Sequence, residues 1–315
     1  MQRHTIPADC VPFGLPRDLL GYRGRPPHAQ WPDSARLAVS LVLNFEEGAE
    51  YAISEGDSHN EAVYEVIDRL PDIPDPCLQS HFDYGTRAGW WRIMQVLQDF
   101  GTPCTVSACG AAIARLPELA QDAIQRGHEI SAHGWRWESH ARMAVEEEIR
   151  NIRRTVQAIK HATGKRPLGW HTRSASSPNT RALLMQEGFV YDSDFYGDDL
   201  PILTRTPQGA PYVVMPYAFD TNDMQFQHTQ RFSTAHEFAD YVIAAIDWLW
   251  HEGAQHPKML SIGLHLRMLG RPARIAALQR ILDHIQNKGQ IWVARRDGIA
   301  KHWLERQPAS QPNAG

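Results

Sequence analysis

Short apolar runs that stop abruptly at polar residues recur along the chain, and stretches of helical period separate them. The first run, residues 37–43, ends in Asn44-Phe45-Glu46-Glu47-Gly48. It reads as a buried parallel strand whose C-terminal end opens into a cleft. Further strands are predicted over 104–108, 129–132, 166–170, 189–191, 212–215, 259–264 and 291–294. Between them, helices are predicted over 86–100, 117–126, 145–162, 179–187, 233–251 and 272–287, several of them stopped by Gly101, Gly127, Gly164 or Gly188. A short helix is also predicted over 61–70. Six prolines within residues 1–35 forbid a long helix there and predict an arm lying over the domain.

Strand–helix alternation of this kind implies a parallel sheet with helices outside. The predicted class is α/β, a distorted (β/α) barrel of seven to eight parallel strands. The predicted organisation is an arm over 1–35, one barrel domain over 36–308 and a disordered tail over 309–315. In such barrels the site lies at the C-terminal ends of the strands. That rule brings Glu46, Glu47, His133, His171, Arg173, Asp192, Asp194 and His265 to one mouth. Neighbouring side chains on a strand face opposite ways, so only one of Glu46 and Glu47 enters a given pocket unless the chain bends at Gly48.

Composition narrows the function. The chain has 315 residues, 43% hydrophobic and 22% charged, with a net charge of −4. That suffices for one large domain and offers no basic surface for nucleic acid or an anionic membrane. No apolar run approaches the roughly 20 residues of a membrane helix. Met1-Gln2-Arg3-His4-Thr5 lacks the apolar core of a secretory signal, and the four cysteines form no CxxC pair. The expectation is a cytoplasmic protein with reduced thiols.

Carboxylates, histidines and a guanidinium at one mouth suit hydrolysis of an unactivated carbonyl, which needs a base, an acid and a partner for the oxyanion. A metal could fill the last role, and hydrolytic zinc commonly takes three protein ligands. A second histidine four residues after His133 would supply two of them, but position 137 is Trp; His140 could substitute. No metal or other cofactor is expected.

Asn-Phe-Glu-Glu-Gly (44–48), Ser-Ala-His-Gly-Trp-Arg-Trp (131–137), Tyr-Asp-Ser-Asp (191–194) and Gly-Leu-His-Leu (263–266) follow one another in an order that resembles the polysaccharide deacetylase family, carbohydrate esterase family four. The chain is most similar to that family's metal-independent allantoinase branch of urate catabolism. The resemblance places Glu46 at the family's general base, Glu47 at a metal-binding carboxylate, His133 and Trp137 at its two metal histidines, and His265 at the acid. It implies a homo-oligomer, a tetramer. Residues 169–180 depart most from the branch.

The expected reaction is the opening of a ring amide of a small cyclic ureide, allantoin to allantoate. Glu46, its pKa raised in an aromatic cleft, is the base, His265 the acid, and His133 with Arg173 or a backbone N–H holds the oxyanion. Glu47, Trp137, Trp170, Arg173, Asn222 and Asp223 are the expected substrate-binding residues. Glu47 could instead hold His133, Asn222 and Asp223 could merely close a turn, and the tryptophans could be core. Arg267, Arg271 and Arg274 are expected on a solvated or subunit-contact face. Rival readings are a cyclic imide hydrolase, a metal-dependent carbohydrate N-deacetylase, and a binding protein that kept the barrel without the chemistry.

Overall fold

The computed structural model describes residues 18–63, 68–227 and 232–306. Among these, nine strands form one curled sheet: β1 (Leu37–Phe45), β2 (Thr105–Ala108), β3 (Glu129–Ala132), β4 (Gly169–Trp170), β5 (Tyr191–Phe195), β6 (Ile202–Arg205), β7 (Pro211–Pro216), β8 (Lys258–His265) and β9 (Ile291–Val293). β8 runs the length of β1 on one edge, from Leu37 opposite Lys258 to Asn44 opposite His265. The other edge of β1 takes β9 at its start and β2 at its end. From β2 the order continues β3, β4, β5, β7, β6.

Every pairing is parallel except β6 with β7, a hairpin that departs from the all-parallel expectation. The sheet curls into a half-barrel. Its open seam, between β7 and β8, is stitched by the Asn222–Gly263 bridge and by Thr221, which accepts from Gly263 N at 3.0 Å and donates to the Ser261 carbonyl at 2.7 Å.

Ten helices accompany the sheet among the described residues: α1 (Pro76–Tyr84), α2 (Trp90–Asp99), α3 (Gly110–Arg115), α4 (Pro117–Gln125), α5 (Val145–Thr163), α6 (Thr180–Gln186), α7 (Ala235–Glu252), α8 (Leu266–Leu269), α9 (Ile275–Lys288) and α10 (Arg296–Arg306). The predicted helix over 61–70 is not seen: 61–63 and 68–70 are irregular, and 64–67 lie outside the described residues. The helix of that region is α1, where Pro76 occupies the first turn and the Asp75 carboxylate accepts from Leu78 N at 2.9 Å.

Alternation along the strands creates two apolar layers. Leu37, Val39, Leu41, Leu43 and Phe45 of β1 join the large cluster under the helices. Ala38 turns inward and packs with Val213, Met215, Met259 and Trp303. Trp31, from the described part of the proline-rich segment, belongs to this inner cluster and donates to the Lys258 carbonyl at 2.8 Å. It thereby stops the end of the barrel opposite the cleft. The predicted tail lies outside the described residues. Among the described residues no helix is long and apolar enough to cross a membrane.

Candidate active site

Sheet register sets the height of the site. Phe45 pairs with Ala108, Ala108 with Ala132, Ala132 with Trp170, and Trp170 with Asp192. These residues share one level, where Phe45 and Trp170 point out among the helices. One residue further on, the alternation turns inward, and Glu46, His133 and His171 all line one cleft, joined by His265 from the end of β8. Trp170 therefore falls on the wrong face to touch substrate. It is fully buried, packs edge-on against Phe189 and donates to Thr172 Oγ1.

Glu46 is the centre of the site and is 1% exposed. Its Oε2 accepts from Arg267 Nη1 at 2.7 Å, while Oε1 lies 3.4 Å from His133 Nε2 and 3.3 Å from His265 Nε2. Burial by itself would raise the Glu46 carboxyl. His265 and Arg267, aided by His133, instead hold it well below the usual carboxylate range. The expected raised pKa is thus overturned, because Arg267 is not on a solvated face but fully buried against the carboxylate. A hint was available: Arg267 follows His265 by two residues.

His265 is clamped by Asp223, whose Oδ1 accepts from Nδ1 at 2.6 Å and whose Oδ2 accepts from the backbone N–H at 2.8 Å. Burial disfavours the charged ring, but Glu46 and Asp223 together raise its pKa to about 9. Asp223 therefore stands behind His265 and not against a substrate, contrary to its expected binding role. His133 donates from Nδ1 to the His171 carbonyl at 2.7 Å, which turns Nε2 toward Glu46.

Glu47 faces away from the cleft. It accepts from the Glu46 N–H at 3.1 Å and the Arg267 N–H at 3.2 Å, and it makes no bond to His133. Gly85 packs directly over it, where a Cβ would collide with the carboxylate. Burial, and Glu46 beside it, raise the Glu47 carboxyl to about 7 against the pull of Arg267.

Trp137 does line the cleft, with the guanidinium carbons of Arg173 and Arg267 at 3.5 and 4.8 Å from its ring centre. Arg173 also lines it, but its terminal nitrogens are engaged by both Glu61 oxygens and the Trp137 carbonyl. Asn222 borders the cleft while its Oδ1 closes a turn by accepting from Met224 N. Tyr196, Tyr217 and Phe219, which no motif singles out, also line the cleft. Tyr196 and Phe219 stack at 3.9 Å between ring centres, and the Tyr217 hydroxyl accepts from Asn44 Nδ2 at 3.0 Å.

Residues 72–189 match the family model described as polysaccharide deacetylase. A Schizosaccharomyces pombe protein named "Putative polysaccharide deacetylase" is 33% identical over 93% of this chain and 98% of its own length. The chain belongs to the polysaccharide deacetylase family. Two solved structures share 43% identity with it. One, a probable polysaccharide deacetylase from Pseudomonas aeruginosa PAO1, has a TM-score of 0.89 over 93% of this chain and 99% of that one. The other, PuuE allantoinase, has a TM-score of 0.90 over 95% of this chain and 100% of that one.

The deacetylase resemblance implies a divalent metal next to the base, and the residues present do not fit one. Trp137 offers no lone pair at the second histidine position. Glu47 is covered by Gly85 and already engaged. The Arg267 guanidinium adds a fixed positive charge between the two carboxylates. His140, the suggested substitute, is fully buried and bonded through Nδ1 to Glu148 at 3.0 Å, and it packs against Trp170 on the helix side.

Proposed function

We propose that this polysaccharide deacetylase family protein is a hydrolase that opens the ring amide of a small cyclic ureide, allantoin-like, with water activated by Glu46 and no metal in the chemistry. The observation that carries this reading is the chain Arg267–Glu46–His265–Asp223, which sets Glu46 against a guanidinium and 3.3 Å from an imidazole that a second carboxylate backs, neighbours that lower the Glu46 carboxyl and raise His265. The 43% identity to PuuE allantoinase along almost the whole chain supports it.

Water at Glu46 Oε1 gives up a proton to that carboxylate as its oxygen bonds to the ring carbonyl carbon. The His133 ring borders the same space, turned by the bond from its Nδ1 to the His171 carbonyl. The carbon–nitrogen bond then breaks as His265 Nε2 gives its proton to the departing nitrogen, and the proton on Glu46 returns to His265. Atoms balance as ring amide plus water giving a carboxylic acid and an amine-type N–H.

A carboxylate held at low pKa is a weak base, so the substrate must contribute reactivity of its own. A carbonyl whose nitrogen also bears a second carbonyl does so, because that nitrogen leaves readily; an N-acetyl sugar does not. The test is turnover of allantoin, hydantoin, succinimide and N-acetylated sugars by chelator-treated protein. Ring opening that survives chelation, and that Glu46→Gln lowers by roughly 100- to 10,000-fold, is the expected outcome. Sugar deacetylation that returns only with added zinc, or full turnover by Glu46→Gln, would overturn it.

A further inference from the structure

A second imidazole–carboxylate pair faces the cleft and takes no part in the proton transfers above. His171 lines the cleft, and its Nδ1 lies 3.2 Å from Asp194 Oδ1. Asp194 is fixed in turn by Thr172, which donates its N–H at 2.7 Å and its hydroxyl at 2.6 Å. The His171 ring lies flat on His133, with centres 5.1 Å apart and planes 4° apart, and Tyr217 closes on it at 4.3 Å. Its carbonyl accepts the His133 Nδ1 proton. A ring held on this many sides is an orienting device.

A carboxylate only accepts, so the proton of a neutral His171 belongs on Nδ1, and Nε2 is left as a bare acceptor. Burial lowers the His171 pKa, which keeps the ring in this neutral form, in contrast to His265. His171 stands one ring beyond His133, on the side of the cleft away from Glu46.

We propose that His171 is the specificity-determining residue of the site, accepting through Nε2 a hydrogen bond from the ring N–H that lies across the substrate from the scissile amide, with Asp194 as its positioning residue. The proposal rests on the cyclic-amide reading and sharpens it. The substrate class becomes a five-membered ureide with two ring N–H groups, one that leaves and one that is recognised. Imides, which have a single ring N–H, lack the second handle.

The experiment compares hydantoin with hydantoin methylated on the nitrogen remote from the scissile bond. Wild-type kcat/KM is about 10- to 100-fold higher for hydantoin, the range of one well-placed buried hydrogen bond. His171→Phe keeps the flat ring over His133 and removes the acceptor. It lowers kcat/KM for hydantoin by that factor and leaves the methylated substrate within about threefold, abolishing the preference. An equal loss on both substrates, or wild-type selectivity in the variant, overturns the assignment while ring-opening itself stands. If wild-type protein opens neither ring, the cyclic-amide reading and the recognition role fall together.

A second readout is independent of turnover. Nitrogen-15 NMR of the histidine side chains shows His171 protonated at Nδ1 and bare at Nε2, and Asp194→Asn, which can donate to Nδ1, moves the proton to Nε2. A wild-type His171 with the proton on Nε2 would overturn the proposal.

Discussion

Replacing Asp223 with Asn tests whether the acid is kept charged by its surroundings. The substitution preserves shape and removes one of the two carboxylates that touch His265. Both Asp223 oxygens are engaged, one with the ring at 2.6 Å and one with the backbone at 2.8 Å, and the His265 side chain is 3% exposed. Burial favours the neutral ring, yet its pKa rises from 6.5 to about 9. At 1.36 kcal/mol per pKa unit, that is about 3 kcal/mol of preference for the cation. A charge at this distance accounts for about 1 to 3 units of such a shift.

The Asp223→Asn pKa is accordingly expected about 1 to 2 units lower, between about 7 and 8. The acid works while protonated, so wild-type kcat/KM holds through neutral pH and falls above about pH 9. In Asp223→Asn the fall begins between about pH 7 and 8, and the maximum drops on the order of 100-fold because the ring loses its orienting acceptor. Stability follows the same sign. A raised histidine pKa contributes below 6.5 and the contribution is lost as pH rises through about 9. The variant's melting deficit is therefore largest near about pH 6 and shrinks toward pH 9. The assays are a pH–rate profile on a cyclic amide and an NMR titration of His265. An alkaline limb that stays near pH 9 in Asp223→Asn would refute the reasoning.

Two further substitutions probe the buried charges. Arg267→Met removes the cation shared by the two buried carboxylates, leaving His265 beside Glu46 but no cation against Glu47, and is expected to cost about 3 to 5 kcal/mol at neutral pH. The Glu47 carboxyl, already raised to about 7, then rises further, so the extra stability loss grows as pH rises from about 4.5 through that folded value. Thermal melts at pH 5 and pH 8 check this, and a deficit equal at both would contradict it. Gly85→Ala drives a methyl group into the Glu47 carboxylate. It should lower stability by about 1 to 3 kcal/mol, and an unchanged melting temperature would show that Glu47 moves aside freely.

Much of this architecture can be read from periodicity. The runs that became β1, β2, β3 and β8 were buried and short, and α2, α5, α7 and α9 carry apolar positions at helical spacing. Strand ends then brought Glu46, His133 and His265 together, because sheet register sets them at neighbouring heights. What failed was mostly facing. Trp170 and His171 are adjacent, and of the two it is His171 that lines the cleft while Trp170, expected to bind substrate, packs under the helices. Glu47 was likewise given a place in the cleft that alternation denies it. Short elements such as α3, α8 and β6 span too few residues for a period to show, and α1 hid behind Pro76. The charge state of Glu46 was illegible for another reason. It depends on Arg267, which lies 221 positions away in sequence, and only the β1–β8 pairing makes the two neighbours.

Arg267 gives the site a positive charge that is synthesised with the backbone. A guanidinium keeps its proton throughout the physiological range and takes no electron pair from a substrate oxygen. On the metal-free reading proposed above, no ion has to be captured from the medium to supply that charge, and no scavenger can withdraw it. The corresponding constraint is chemical: an arginine orients and neutralises but does not polarise a carbonyl as a Lewis acid would. Selection on such a scaffold therefore falls on the reactivity of the compound that enters it.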